Sequence, residues 1–167
     1  YVLYTAAGPE IAVASTKAYT TQLSVFYLVV AKMALLRGVY TEEQTKSFIA
    51  ELERVPEVMQ KVLEKRRDIH VIAKKILEAK DLFMIGRGLD YSILLEGSLK
   101  LKEVSYIHSE AYASGELKHG PIALITTNTP VVATVTQEKL MSKELSNIKE
   151  VKSRGCLLYT SPSPRDL

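Results

Sequence analysis

One stretch limits the possible folds more than any other. Asp81-Leu82-Phe83-Met84-Ile85 is short and, after its first residue, wholly apolar, and Gly86-Arg87-Gly88 follows it at once. A run of that length with no polar alternation reads as a strand buried on both faces. Long helical patterns flank it. Upstream, Asp68 to Lys80 is amphipathic, with Ile69, Ile72, Ala73, Ile76 and Leu77 on one side; downstream, Leu89 to Ile107 reads as helix. After a compact turn, Ser114 to Ile125 predicts a short helix interrupted by Gly120-Pro121. Pro130 to Val135 predicts a β-branched strand, and Gln137 to Ser153 an amphipathic helix. Helix, strand, glycine turn, helix, strand, helix is the order of an α/β domain whose parallel sheet is covered on both faces.

The first 38 residues read as the end of another apolar unit. Residues 1 to 7 are strand-like and Gly8-Pro9 breaks them. Ser15 stands where a helix N-cap belongs, and Thr16 to Arg37 is rich in Ala, Leu and Val up to Gly38. Leu23, Phe26, Tyr27, Val30, Met33 and Ala34 share one face, so this helix is expected to pack on something large. Thr41 and Gln44 have capping-box spacing and open a helix through Phe48, Ile49, Leu52 and Val55; Pro56 is read as the start of a third, Glu57 to Arg66. This polar, helical stretch marks a domain junction. The expected organisation is therefore 1–38, an inter-domain segment 39–69, a second unit 70–155, and a tail from 156. Cys156 to Tyr159 begins a strand, but Thr160-Ser161-Pro162-Ser163-Pro164 cannot continue one in a sheet centre. The tail is accordingly expected to be non-native or disordered. The opening Tyr1-Val2-Leu3-Tyr4 reads as a strand entered in mid-fold, and the α/β pattern lacks a further strand and helix, so the chain reads as part of a longer protein.

Composition removes several classes of function. The formal net charge of +3 is small and unclustered, which gives no case for nucleic acid. One cysteine, Cys156, allows neither an internal disulfide nor a Cys-based metal cluster and makes a reducing, cytoplasmic compartment the default. No basic leader precedes the first apolar residues. The run from Leu23 to Leu36 is broken by Lys32 and falls short of the ~20 apolar residues a bilayer span requires, so a buried core helix is expected and no membrane partner.

Chemistry concentrates between Glu96 and Pro121. Lys100 and Glu103 are three apart and share a helix face. Spacing alone makes them an ordinary surface pair. Their context argues otherwise: the helix follows a strand and a glycine turn, apolar Leu99, Leu101, Val104 and Ile107 surround the pair, and small Gly97 and Ser98 allow close approach of a ligand or chain. A partly buried carboxylate beside a cation suits proton abstraction next to a carbonyl, since burial moves its pKa towards working pH. His119, between Lys118 and Gly120-Pro121, is a candidate titrating group, while His70 and His108 read as structural. Gly86-Arg87-Gly88 is either a phosphate cradle at a helix N-terminus or only a sharp bend, and Ser15 and Thr16 offer hydroxyls and free N–H groups at a helix start.

Two long motifs carry a family resemblance. Glu10-Ile11-Ala12-Val13-Ala14-Ser15-Thr16-Lys17-Ala18-Tyr19-Thr20-Thr21-Gln22 is one. The other is Glu96-Gly97-Ser98-Leu99-Lys100-Leu101-Lys102-Glu103, with Tyr106-Ile107-His108, Glu110-Ala111-Tyr112 and Gly115-Glu116-Leu117-Lys118-His119-Gly120-Pro121 behind it. In that order and separation they resemble the isomerase half of the glutamine:fructose-6-phosphate aminotransferase family, from residue 1 to about Gly155. The resemblance implies two doubly wound sugar isomerase (SIS) domains, of which this chain holds the end of one and the start of the next. It implies Glu103 as the base moving a proton between C1 and C2, Lys100 as the lysine beside it, and His119 as the ring-opening histidine reaching a neighbouring subunit's site in a homodimer. It implies Val13 and Ser15 as contacts to a sugar phosphate, and no metal or organic cofactor. The family's phosphate loop, its glutaminase domain and a further active-site lysine have no counterpart in these residues, so the chain alone is expected to be inactive. A glutaminase-free SIS isomerase or deglycase, and a non-catalytic SIS sensor of sugar phosphates, are the alternatives.

Overall fold

The computed structural model describes residues 1–160; Ser161 to Leu167, where most of the expected tail falls, lie outside the described residues. The chain divides into two compact units, Tyr1–His70 and Val71–Leu167.

The first unit is helical. Residues 1–7 form no strand. Helix α1 spans Thr16–Leu36, and Ser15 occupies its N-cap position without capping it: the hydroxyl donates instead to Glu10 Oε2 at 3.0 Å. Helix α2 spans Glu42–Glu64 and opens with the expected capping box, Gln44 N donating to Thr41 Oγ1 and Thr41 N to Gln44 Oε1. It runs straight through Pro56, where a new helix is expected from sequence. The apolar series Phe48, Leu52, Val55, Met59, Val62 keeps three/four spacing across the proline, so one amphipathic face favours continuity despite the lost N–H. Tyr27 and Tyr40 pack their rings about Phe48, joining α1 to α2. Beyond that contact α1 is poorly covered. Only Ala31 is buried, and Phe26 is 66% exposed, so the expected burial of this apolar helix is not met within the unit. By length and composition alone α1 could cross a membrane.

Helix α3, Arg66–Ile76, begins two residues before the expected Asp68 and contains the boundary between the units. Of the residues expected to face inward, Ile76 packs on a core cluster; Ile69, Ile72, Ala73 and Leu77 remain exposed.

The second unit is the α/β domain. Strands β1 (Asp81–Gly86), β2 (His108–Ala113), β3 (Pro130–Ala133) and β4 (Leu157–Thr160) form one parallel sheet in the order β2-β1-β3-β4. Central β1 is buried from Leu82 to Gly86. Its alternate residues feed two cores, as a doubly covered strand requires: Phe83 and Ile85 join Leu117, Ile125, Val131, Ala133, Ile148 and Val151, while Leu82 and Met84 join Leu94 and Ile107. Helix α4 spans Leu89–Ser105 and α5 spans Met141–Lys152. Two corrections to the sequence reading follow. The helix after Gly88 stops at Ser105, closed by Tyr106 in the left-handed region (φ 60°), which frees His108–Ala113 to form a strand not expected there. Its polar residues disguise it because it lies at the sheet edge. The interrupted helix near Gly120-Pro121 is two 3₁₀ helices, Ser114–His119 and Pro121–Leu124; the helix expected from Gln137 is a 3₁₀ turn, Glu138–Leu140, followed by α5. The strand read as beginning near Cys156 does form: Leu157 to Thr160 pair in parallel with Pro130 to Ala133.

Candidate active site

β1 leads through Arg87-Gly88 into α4, and α4 returns to β2 on one side of β1, while β3 lies on the other. The crevice at the strands' carboxyl ends is thus a topological switch point. Gly88, at φ 56°, makes the turn that starts α4. The local groups are engaged by the chain itself. Asp90, 3% exposed, accepts from Thr136 N at 3.0 Å and from Thr136 Oγ1, and Gln137 Nε2 donates to Arg87 O at 2.7 Å. The Arg87 guanidinium turns away onto Asn147. Of the two readings of Gly86-Arg87-Gly88, the sharp bend is the one this geometry fits.

Lys100 and Glu103 lie towards the C-terminal end of α4, and Lys100 Nζ donates to Glu103 Oε2 at 2.7 Å. Both side chains are only about a quarter exposed or less, which separates them from a fully solvated surface pair. Glu96, one turn earlier, also approaches Lys100, 3.6 Å away. The hydrogen bond that Lys100 donates to Glu103 raises the Lys100 pKa; burial opposes it and Glu96 adds to it. Glu96 stood in the sequence motif without a role; the i,i+4 spacing to Lys100 was the available signal. Gly97 and Ser98 do not open space for a ligand. Gly97 faces Met84 of the sheet, and Ser98 donates to Ser109 O at 2.8 Å, so small residues there bring α4 close to β1 and β2.

His119 ends the first 3₁₀ helix with its side chain 74% exposed; Glu116 Oε2, 3.9 Å from Nε2, is a further acidic neighbour. His108 pairs with Asp81 at 2.9 Å, a structural tie between neighbouring strand starts. On β2, Glu110 accepts the Tyr112 hydroxyl, which pushes the Tyr112 pKa up to about 12. Val13 and Ser15 belong to the first unit, in the turn before α1, where Ser15 N donates to Val13 O at 3.0 Å. The structure therefore brings Lys100, Glu103 and Glu96 together in the second unit and places Val13 and Ser15 beside each other in the first. Among the described residues no group of three or more His, Cys, Asp and Glu side chains could hold a metal ion.

The SIS domain family matches residues 75–160. The chain is 54% identical over 154 residues, 92% of its length, to a protein of Caldanaerobacter subterraneus named glutamine–fructose-6-phosphate aminotransferase [isomerizing]. It is 49% identical over 165 residues to one of Methanosarcina acetivorans with the same name. It spans only 25% and 27% of these relatives' lengths. Among solved structures, the C-terminal domain of the glucosamine-fructose-6-phosphate aminotransferase of Francisella tularensis superposes with a TM-score of 0.85 at 46% identity, covering 92% of this chain and 43% of that one. The chain belongs to the SIS domain family, and within it resembles the isomerase half of glutamine–fructose-6-phosphate aminotransferases.

Proposed function

We propose that this chain is part of the isomerase half of a cytoplasmic enzyme that converts fructose 6-phosphate and glutamine into glucosamine 6-phosphate and glutamate. The observation that carries this reading is the Lys100–Glu103 contact on α4 of an SIS fold, within a chain about half identical to enzymes of that name. Ammonia released from glutamine adds at C2 of the open-chain ketose and, with loss of the C2 oxygen as water, leaves an imine. Glu103 takes the proton from C1, and the electron pair is held by the conjugated C=N. The same carboxyl returns the proton to C2 while the C1 hydroxyl gives up its proton and the nitrogen gains one, so that C1 becomes the aldehyde of the amino aldose. Lys100, with its ammonium bonded to that carboxylate, orients Glu103 and offers positive charge where electron density builds. The imine holds the electron pair without a metal or organic cofactor.

Val13 and Ser15 are assigned to sugar contacts. His119 is assigned to ring opening in the site of a second copy of the protein, a role favoured by its outward-facing side chain. The chain's span of about a quarter of its relatives supports the view that a longer polypeptide completes the site.

The test is product analysis on the protein encoded by the full reading frame containing this segment. Glucosamine 6-phosphate formed only when glutamine is supplied bears out the aminotransferase. Aldose phosphate formed with no need for glutamine would assign a glutaminase-free isomerase, and fructose 6-phosphate binding without turnover would assign a sensor.

A further inference from the structure

Helix α5 presents four residues to the interior at three/four spacing: Glu144, Asn147, Ile148 and Val151. The last two belong in a core. Glu144 does not: it is 1% exposed, its Oε2 has no hydrogen-bond partner, and burial drives its pKa up. An incompletely paired buried carboxylate destabilises a fold, and an apolar residue of that size packs better. What Glu144 touches gives it a purpose. Its Oε1 accepts the hydroxyl of fully buried Ser114 at 2.6 Å, the first residue of the 3₁₀ helix that ends in His119. Its Oε2 lies 3.6 Å from Arg87 Nε, and Arg87 donates from Nε and Nη2 to Asn147 Oδ1 at 3.1 and 2.7 Å. The guanidinium in turn presses on Gly115, where an added Cβ would lie 3.0 Å from Nη2. Further along the same short helix, Leu117 is buried in the core that contains Ile148 and Val151, and Lys118 pairs with Glu150 of α5 at 3.2 Å. The residues leading to His119 are thus gripped by α5 and by the turn after β1.

We propose that Glu144 is a positioning residue for His119, fixing the start of the His119-bearing segment through Ser114 and locking it to the β1 turn through Arg87. The inference rests on the ring-opening role assigned to His119 above. It predicts that loss of Glu144 impairs ring opening and leaves proton transfer intact.

The experiment compares two substrates in the full-length protein carrying this segment: fructose 6-phosphate, which must be opened, and 5-deoxyfructose 6-phosphate, which has no O5 with which to close a furanose. Glu144→Ala should lower kcat on fructose 6-phosphate about ten-fold or more, leave the acyclic substrate within about two-fold, and be rescued by Glu144→Gln, which keeps an oxygen for Ser114. Ser114→Ala, which deletes only one hydroxyl, should show the same selectivity and decides the matter if Glu144→Ala does not fold. Equal losses on both substrates, or none, would overturn the positioning role. Glu103→Gln separates this from the broader reading, because it must abolish turnover of both substrates; if it does not, the assigned reaction is wrong whatever Glu144 does.

Discussion

The Ser114 hydroxyl donates to Glu144 Oε1 at 2.6 Å across 30 residues of chain, with both side chains closed to solvent. The contact joins the end of β2 to α5 and gives Glu144 a pH signature. Burial raises its pKa, and the Asp90 charge adds to that; Ser114 and Arg87 oppose. The folded state therefore holds this proton more tightly than the unfolded chain. Stability from this group is fully present below the unfolded glutamate pKa of about 4.3 and is lost as pH rises through the higher folded value. Glu144→Gln should remove that part of the pH dependence, seen by urea unfolding at a series of pH values. A slope over that range unchanged by the substitution would show that Glu144 does not carry it.

Asp90, buried in the first turn of α4, ties that helix to the segment after β3 by accepting two bonds from Thr136. Asp90→Ala removes the buried carboxylate that accepts both Thr136 bonds, charge-assisted contacts whose loss should destabilise the second unit by about 1–3 kcal/mol. Asp90→Asn, which keeps one acceptor oxygen, should cost less. Equal unfolding midpoints for Asp90→Ala and wild type would refute the assignment.

The uncovered face of α1 predicts association of the isolated chain. Phe26, Val30 and Met33 lie on one side of the helix and are more than half exposed. Contiguous apolar surface of this kind is normally covered. Sedimentation velocity should show mass rising with concentration for the 167-residue chain, and Phe26→Glu with Met33→Glu should suppress it. A wild-type chain that remains monomeric across the accessible range would contradict this.

Much of the fold is legible in the sequence because its strongest signals are redundant. β1 is an unbroken apolar run with a glycine stop, and both of its faces are buried. The capping box at Thr41 appears as spaced. Signals fail where one force overrides another. Pro56 suggests a break, yet the apolar periodicity of α2 carries the helix through it. β2 hides because an edge strand can be Ser, Glu and Tyr in place of Val and Ile, and because Tyr106 ends α4 without a glycine. At the site, the Lys100–Glu103 contact follows from helical spacing. The partners of Arg87 and Glu144 do not, since 60 residues separate Arg87 from Asn147 in sequence and no local pattern records it.

Glu103 is the centre of the account, and one measurement addresses it directly: the rate of glucosamine 6-phosphate formation by Glu103→Gln in the full-length protein, with fructose 6-phosphate binding measured beside it. Gln keeps the size and a hydrogen-bonding oxygen for Lys100 but cannot take up the C1 proton. The account predicts a rate lower by about 10²–10⁴-fold with binding retained. A variant that forms product at close to the wild-type rate would contradict it.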